Sequence, residues 1–221
     1  MIYLADTANC DQIRDLIKYY PLEGVTTNPS LLAHEGKPLS KIIPEILDCI
    51  GDKMIHIQTI SENAEDILKE AKLYREVFGL KGNFYAKIPV TREGYRAISL
   101  VKDSGINVTA TAIFTQQQAM MAANAGADFV APYVNRLDNI VSHGIEVVAD
   151  IVKGIKMYGL PTRVLAASFK NVDQVYRVSL TGCHSVTLSH EVFLALMSHP
   201  MTDRGVQDFE KDATDIYDIK I

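Results

Sequence analysis

Short apolar segments alternate with longer amphipathic segments along almost the whole chain. The short segments are rich in β-branched and aromatic residues, and eight of them can be delimited: Ile2–Asp6, Gly24–Asn28, Met54–Thr59, Asn83–Ile88, Val108–Ala112, Phe129–Val134, Arg163–Ser168 and Ser185–Leu188. Near-continuous apolar runs of this length are typical of strands that are buried on both faces of a sheet. The pattern therefore predicts eight buried strands.

The longer segments repeat their apolar residues at helical spacing. In Glu62–Phe78, for example, Ile67, Leu68 and Ala71 fall on one face of a helix. The same pattern occurs in four further segments: Arg92–Ser104, Gln116–Ala125, Gly144–Tyr158 and Val172–Thr181. Asn171 stands directly before the last of them, where its side chain can cap the first turn. These segments are predicted to be helices.

Strands that alternate with helices favour a parallel sheet, and eight such units in 221 residues favour a closed barrel. We expect residues 1–221 to form a single α/β domain, a (β/α)8 TIM barrel. A doubly wound open sheet is the alternative, but it normally carries a glycine-rich turn after its first strand. The turn here, Asp6-Thr7-Ala8-Asn9, contains no glycine. A polar stretch at about 203–217 is predicted to be an extra C-terminal helix.

The charge and hydropathy of the chain narrow its possible partners. The net charge is -5 and there is no long basic run, so neither nucleic acid nor a membrane surface is expected to bind. No apolar stretch is long enough to cross a bilayer. The first residues, Met1–Asp6, lack the basic region and cleavage site of a secretory signal. A cytoplasmic location is therefore expected.

Cysteine and histidine are distributed without a metal-binding pattern. The three cysteines, Cys10, Cys49 and Cys183, are far apart and form no Cys-x-x-Cys pair. The six histidines show no spacing typical of metal ligands. The sequence thus predicts neither a disulfide framework nor a metal site, and no cofactor is expected.

Lys87 is the residue with the clearest chemical meaning, because it lies inside a predicted buried strand. An ammonium group without a partner is costly to bury, so a buried lysine tends to lose its proton. The neutral amine that results is a nucleophile toward carbonyl groups, as in Schiff-base catalysis. The alternative is a structural lysine whose ammonium group reaches water or an acid at the strand end.

Polar residues stand at or just after the end of seven predicted strands, where a barrel places its active site. They are Asp6, Thr26, Asn28, Gln58, Lys87, Thr111, Tyr133, Asn135, Arg136, Ser168 and Lys170. A carboxylate, amides, hydroxyls and a phenol around a buried amine are the groups that carbinolamine formation and proton transfer require. Each of them could instead be a strand-end cap or a rim residue in contact with water.

Strand alternation and loop position refine this set. Lys87 shares a face with Tyr85, whereas Phe84, Ala86 and Ile88 are expected to face the helices. The residues after the sixth and seventh strands suit an anion, because barrels often hold a phosphate there with a basic side chain. They are Arg136, Ser168 and Lys170.

Three segments resemble the transaldolase family. Gly24-Val25-Thr26-Thr27-Asn28-Pro29-Ser30 is similar to its Thr-Thr-Asn-Pro motif, Tyr85–Thr91 to its Schiff-base lysine segment, and Ala166–Lys170 to its phosphate-binding segment. The likeness extends from Leu4 to about Asp203 and points to the small, compact subfamily. That subfamily includes both short transaldolases and fructose-6-phosphate aldolases.

Three positions resemble the aldolases rather than the transaldolases. Transaldolases usually have glutamate where this chain has Gln58, phenylalanine where it has Tyr133, and isoleucine-arginine where it has Phe169-Lys170. The resemblance therefore implies a fructose-6-phosphate aldolase that works without metal through an imine on Lys87. A transaldolase, an aldolase for another aldehyde, and a non-catalytic barrel that binds sugar phosphates are the alternatives.

The resemblance also implies roles for the individual residues. The catalytic set would be Lys87, Tyr133, Asp6, Gln58 and Thr111, and the substrate-binding set Thr26, Asn28, Asn135, Arg136, Ser168 and Lys170. Sugar phosphates and aldehydes would be the small-molecule partners. The resemblance further implies a homo-oligomer, a ring-shaped decamer held partly by the C-terminal helix.

Overall fold

The computed structural model describes residues 1–214 and 216–217, and its centre is a closed barrel of parallel strands. The strands are β1 Ile2–Asp6, β2 Gly24–Thr26, β3 Met54–Gln58, β4 Phe84–Pro89, β5 Asn107–Ile113, β6 Phe129–Pro132, β7 Arg163–Ala166 and β8 Ser185–Leu188. Each strand pairs with the next in the chain, and β1 closes the barrel against β8. The predicted (β/α)8 barrel is confirmed.

Helices connect the strands on the outside of the barrel. They are α1 Cys10–Tyr19, α2 Pro29–His34, α3 Leu39–Ile50, α4 Ala64–Val77, α5 Arg92–Asp103, α6 Gln116–Asn124, α7 Val134–Asp138, α8 Gly144–Met157, α9 Val172–Leu180, α10 His190–Met197 and α11 Pro200–Ala213. Side-chain caps explain several of the starting points. Asn63 accepts the backbone N–H of Asp66, and Asn171 accepts that of Gln174.

Several boundaries differ from the sequence prediction, for identifiable reasons. Strand β2 ends at Thr26, since Asn28 caps α2 by accepting the N–H of Leu31 at 3.1 Å. Strand β6 ends at Pro132 because the chain turns at once into α7, which was not predicted. Strand β7 likewise ends at Ala166. Helix α11 starts at Pro200, before the predicted 203–217 segment, and ends at Ala213; residue 215 of that segment lies outside the described residues.

Alternation along the strands separates two apolar regions. Phe84, Ala86 and Ile88 lie in the large core between the barrel and its helices, whereas Tyr85 packs inside the barrel with Phe129. The predicted faces of β4 are therefore confirmed. The interior below Lys87 is filled by these aromatic side chains, so the barrel is a packed core and not a pore.

His56 adds a polar group to this interior. Its ring stacks on that of Tyr85 with centroids 4.5 Å apart, and its Nδ1 lies 2.8 Å from the hydroxyl of Thr109. Burial, and to a smaller extent the charge of Lys87, lowers the pKa of His56 well below its usual value. His56 is therefore neutral at physiological pH.

Helix α11 lies apart from the barrel core. None of its residues is buried, and Phe209 is 73% exposed. Together with Val206, Ile216 and Tyr217 it lines an open apolar groove. Exposed apolar groups in this arrangement are typical of surfaces that bind another protein. No helix among the described residues has the length and hydropathy needed to cross a membrane.

Candidate active site

A cavity of about 120 Å³ opens at the carboxyl ends of the barrel strands. Its walls are Asp6, Thr26, Asn28, Lys87, Thr111, Ala131, Tyr133, Arg136, Leu165, Ala167, Ser168 and Thr187. Most of the residues predicted from the sequence are thus brought together, although they come from strands far apart in the chain. The cavity joins an amine, a carboxylate, a phenol and a guanidinium group in one enclosed volume.

Lys87 lies at the base of this cavity and is only 6% exposed. Its Nζ donates to the backbone carbonyl of Thr27 at 2.6 Å. Burial lowers the pKa of Lys87 below its ordinary value, and the nearby Asp6 carboxylate offsets part of that effect. Lys87 therefore has a larger share of the nucleophilic amine at neutral pH than an exposed lysine.

Thr26 holds the Asp6 carboxylate, and Thr187 in turn contacts Thr26; the two threonines lie on β2 and β8, the strands that pair with β1. The hydroxyl of Thr26 donates to Oδ1 of Asp6 at 2.6 Å and lies 2.7 Å from the hydroxyl of Thr187. Thr26 was predicted to bind substrate, but its hydroxyl is already engaged with both neighbours. Thr187 was missed from the sequence. It is a polar residue near the carboxyl end of the eighth predicted strand, Ser185–Leu188, which is the position from which the other candidates were chosen.

Tyr133 and Thr111 form a hydroxyl pair on the other side of the cavity. Their Oη and Oγ1 atoms lie 2.9 Å apart. The pairing of β5 with β6 shifts register between Ala110 and Ile113, and Ala112 has a left-handed φ of 58°. Such a bulge redirects side chains near active sites, and here it brings Thr111 to the phenol.

The side of the cavity that was predicted to bind an anion is built from α7 and the end of β7. Arg136 lies in the middle of α7, and its guanidinium carbon is 4.8 Å from the centre of the Tyr133 ring. No acidic side chain among the described residues forms an ion pair with Arg136. Ser168, which follows β7, has a left-handed φ of 61°. An unpaired guanidinium beside a polar turn suits a phosphate group.

Three predicted residues do not line the cavity. Gln58 is half-buried at the end of β3 and is paired in register with Lys87, so the two side chains are neighbours at the barrel mouth. Asn135 points its Oδ1 toward Nε2 of Gln174 at 3.3 Å. Lys170 lines a separate groove with Glu191. Of the three residues predicted to bind an anion, Arg136 and Ser168 therefore line the Lys87 cavity and Lys170 does not.

No group of three or more histidine, cysteine, aspartate or glutamate side chains within residues 1–214 and 216–217 is placed to hold a metal ion. The three cysteines are free thiols. Cys10 and Cys49, distant in sequence, are neighbours in the fold, and burial together with this contact raises the pKa of Cys10 to about 11. They lie on α1 and α3, away from Lys87.

Comparison with known proteins finds relatives over almost the whole chain. Residues 3–220 match a family model described as Transaldolase/Fructose-6-phosphate aldolase. A protein named "Probable transaldolase" from Symbiobacterium thermophilum is 39% identical over 207 residues, which cover 94% of each chain. A second protein of that name, from a Thermoanaerobacter species, is 37% identical over 212 residues and 96% of each chain.

Solved structures of low sequence identity share the fold. A structure titled "Native KDPGal structure" superposes with a TM-score of 0.59 at 16% identity, covering 93% of this chain and 95% of that one. A mandelate oxidase mutant superposes with a TM-score of 0.56 at 13% identity, covering 86% and 64%. At such identities the likeness concerns the barrel fold alone.

We expect burial of the Lys87 amine to reduce the free energy of unfolding. Replacing Lys87 by Met keeps the volume and removes the charge, so we expect the free energy of unfolding at pH 7 to rise by about 1 kcal/mol or more. Between the lowered pKa of Lys87 and its ordinary value of 10.5, the unfolded wild-type chain keeps a proton that the folded chain has lost. Wild-type stability should therefore gain more with rising pH in this window than the variant's does.

Urea titrations of both proteins at several pH values, at one protein concentration, measure this difference. Titration of tyrosines and cysteines is common to the two proteins and cancels in the comparison. Parallel stability curves, or a variant that is less stable at pH 7, would show that the amine is not buried at a cost.

Proposed function

We propose that this chain, which belongs to the transaldolase/fructose-6-phosphate aldolase family, is a Class I aldolase that reversibly cleaves fructose 6-phosphate to dihydroxyacetone and glyceraldehyde 3-phosphate. The observation that carries the proposal is the buried amine of Lys87 in a cavity that also holds the Asp6 carboxylate and the Tyr133–Thr111 hydroxyl pair. An amine, a carboxylate and a hydroxyl donor in contact with one small volume are suited to imine chemistry.

Cleavage begins when the neutral amine of Lys87 attacks the C2 carbonyl of the ketose. The carbinolamine loses water and gives a protonated imine, which withdraws electrons from the neighbouring carbon. A base removes the proton of the C4 hydroxyl, the C3–C4 bond breaks, and its electron pair moves into the iminium group. Glyceraldehyde 3-phosphate leaves, and the dihydroxyacetone unit stays on Lys87 as an enamine.

The enamine must then gain a proton at C3 before water releases dihydroxyacetone. Tyr133, with Thr111 at hydrogen-bonding distance, is our candidate for delivering that proton through a bound water. Gln58 is the neighbour of Lys87 on β3 and can orient a water without taking its proton. Asp6, held by Thr26, accepts hydrogen bonds from hydroxyl groups of the dihydroxyacetone unit. Asn28 binds another hydroxyl of that unit.

The phosphate of the substrate lies between α7 and the turn after β7 in this proposal. Arg136 supplies the charge and Ser168 supplies a hydroxyl and backbone groups. Lys170 remains outside, in its groove with Glu191. A barrel that bound sugar phosphates without chemistry would need these anion-binding groups but would gain nothing from the costly buried amine of Lys87.

A transaldolase is the second candidate, favoured by the names of the relatives that are 37–39% identical. It would share every step up to the enamine. The enamine would then add to the aldehyde carbon of an aldose phosphate instead of being protonated. The two activities thus differ only in the fate of one intermediate. Tyr133 and Gln58 are the residues that favour protonation in this chain.

The assembly and location of the protein follow the same resemblance. The exposed apolar residues of α11 support a homo-oligomer in which this helix packs on a neighbouring subunit, and we propose the ring-shaped decamer. We also propose a cytoplasmic location.

Product release separates the two candidates. Purified protein should release glyceraldehyde 3-phosphate from fructose 6-phosphate without any acceptor, because Tyr133 and its water can protonate the enamine. Coupled oxidation of the aldehyde phosphate measures the rate, with erythrose 4-phosphate added in a parallel assay. Release that occurs only when erythrose 4-phosphate is present would identify a transaldolase and contradict the aldolase proposal.

Tyr133→Phe removes the phenol and keeps the aromatic ring between Phe114 and Arg136. We expect aldol cleavage to fall about a hundredfold, because enamine protonation loses its acid, whereas imine formation on Lys87 changes little. Steady-state cleavage and borohydride trapping with dihydroxyacetone measure the two steps. Equal losses in both steps would count against a proton-transfer role for Tyr133.

A further inference from the structure

Gln174 is a buried side-chain amide that joins α7, the helix that carries Arg136, to the turn before α9. It occupies the third position of α9 and is only 6% exposed. Its Oε1 accepts the backbone N–H of Lys170 at 2.8 Å. Its Nε2 donates to Oδ2 of Asp138 at 2.7 Å and to Oδ1 of Asn135 at 3.3 Å. One side chain thus connects the chain on both sides of the proposed phosphate site.

Helix α7 needs such external support. It has only five residues, which is too short for a helix to be stable without tertiary contacts. Val134 and Leu137 anchor one face of it in the core, but a cavity of about 230 Å³ lies beside its C-terminal end, and Asp138 and Gln174 are among the residues that line it. On this side hydrogen bonds, and not packed apolar atoms, hold the helix.

The contacts of Gln174 fall on both sides of Arg136. Asn135 precedes Arg136 and Asp138 ends the same helix, while the N–H of Asn135 also donates to the carbonyl of Ser168 at 2.7 Å. The second carboxylate oxygen of Asp138 accepts the N–H of Gly144 at 2.8 Å, which ties the helix to α8. Rotation or displacement of α7 would move the Arg136 guanidinium away from Ser168.

We propose that Gln174 is a positioning residue that holds Arg136 in place for the phosphate of the substrate. The inference rests on the proposed function, since it assigns Arg136 to a sugar phosphate. Gln174 itself does not line the Lys87 cavity, so it acts through α7 and touches neither substrate nor reacting atoms.

A matched glutamine separates this role from helix capping. Gln118 occupies the same third position of α6, and its Oε1 accepts the N–H groups of Phe114 and Thr115. Its Nε2 has no hydrogen-bond partner among the described residues. Gln118 therefore makes the capping contact of Gln174 without the link to another helix.

Replacing the side-chain amide of Gln174 by a carboxylate tests its contact with Asp138. Gln174→Glu keeps the acceptor for Lys170 but places a carboxylate against Asp138, and the two like charges repel. Adding Asp138→Asn restores a donor at this contact, and its Oδ1 can still accept from Gly144. We expect Gln174→Glu to raise KM for fructose 6-phosphate about tenfold or more, and the double variant to return it to within about threefold of wild type.

Dihydroxyacetone provides the internal reference, because it forms the Lys87 imine without a phosphate. The rate at which the borohydride-trapped adduct forms should stay within about twofold of wild type in all variants. Gln118→Glu should change neither this rate nor KM for fructose 6-phosphate. The inference is overturned if KM for fructose 6-phosphate is unchanged in Gln174→Glu, if the double variant fails to restore it, or if adduct formation falls in proportion. Wild-type protein that forms no adduct and cleaves no ketose would instead refute the proposed function, and this inference with it.

Discussion

The structure depends on one unfavourable placement, a lysine amine buried at the end of a barrel strand. Burial disfavours the charged form of Lys87, and the Asp6 carboxylate offsets part of that effect. The surrounding groups are arranged around this constraint: the carbonyl of Thr27 accepts from Nζ, and Thr26 with Thr187 fixes the carboxylate. The closed barrel makes the placement possible, because hydrogen bonds on both sides of β4 and packed helices outside it compensate for the cost.

Along the barrel strands, the residues of the large apolar core between the barrel and its helices are distinct from those that line the cavity at the strand ends. On β4, alternate residues pack against the helices, and Tyr85 with Phe129 fills the interior beneath the site. The candidate active site lies in the layer above, where strand ends and the following turns deviate from regular geometry. The bulge at Ala112 and the left-handed Ser168 lie in this layer, which agrees with the tendency of backbone strain to concentrate at functional sites.

The fold could be predicted from the sequence, because eight apolar runs alternate with segments of helical period. The face on which Lys87 lies could be predicted as well, since it follows from period-two alternation within β4. The short helix α7 could not be predicted, since five residues with only two apolar positions show no helical period. Tertiary contacts of Asp138 with Gln174 and Gly144 support it in the fold. The directions of side chains at the strand ends could not be predicted from the sequence either. Nothing in the spacing of Lys170 shows that it lines a groove separate from the Lys87 cavity, or that the hydroxyl of Thr26 is engaged with Asp6.

The measurement that tests the account most directly is the location of the covalent intermediate. Protein incubated with dihydroxyacetone, reduced with borohydride and digested would be analysed by peptide mass spectrometry, with unreduced protein as the control. The account predicts a single modified peptide that contains Tyr85–Pro89, with the added mass of reduced dihydroxyacetone on Lys87. An unmodified Lys87, or an equal adduct on exposed lysines such as Lys69, would contradict it.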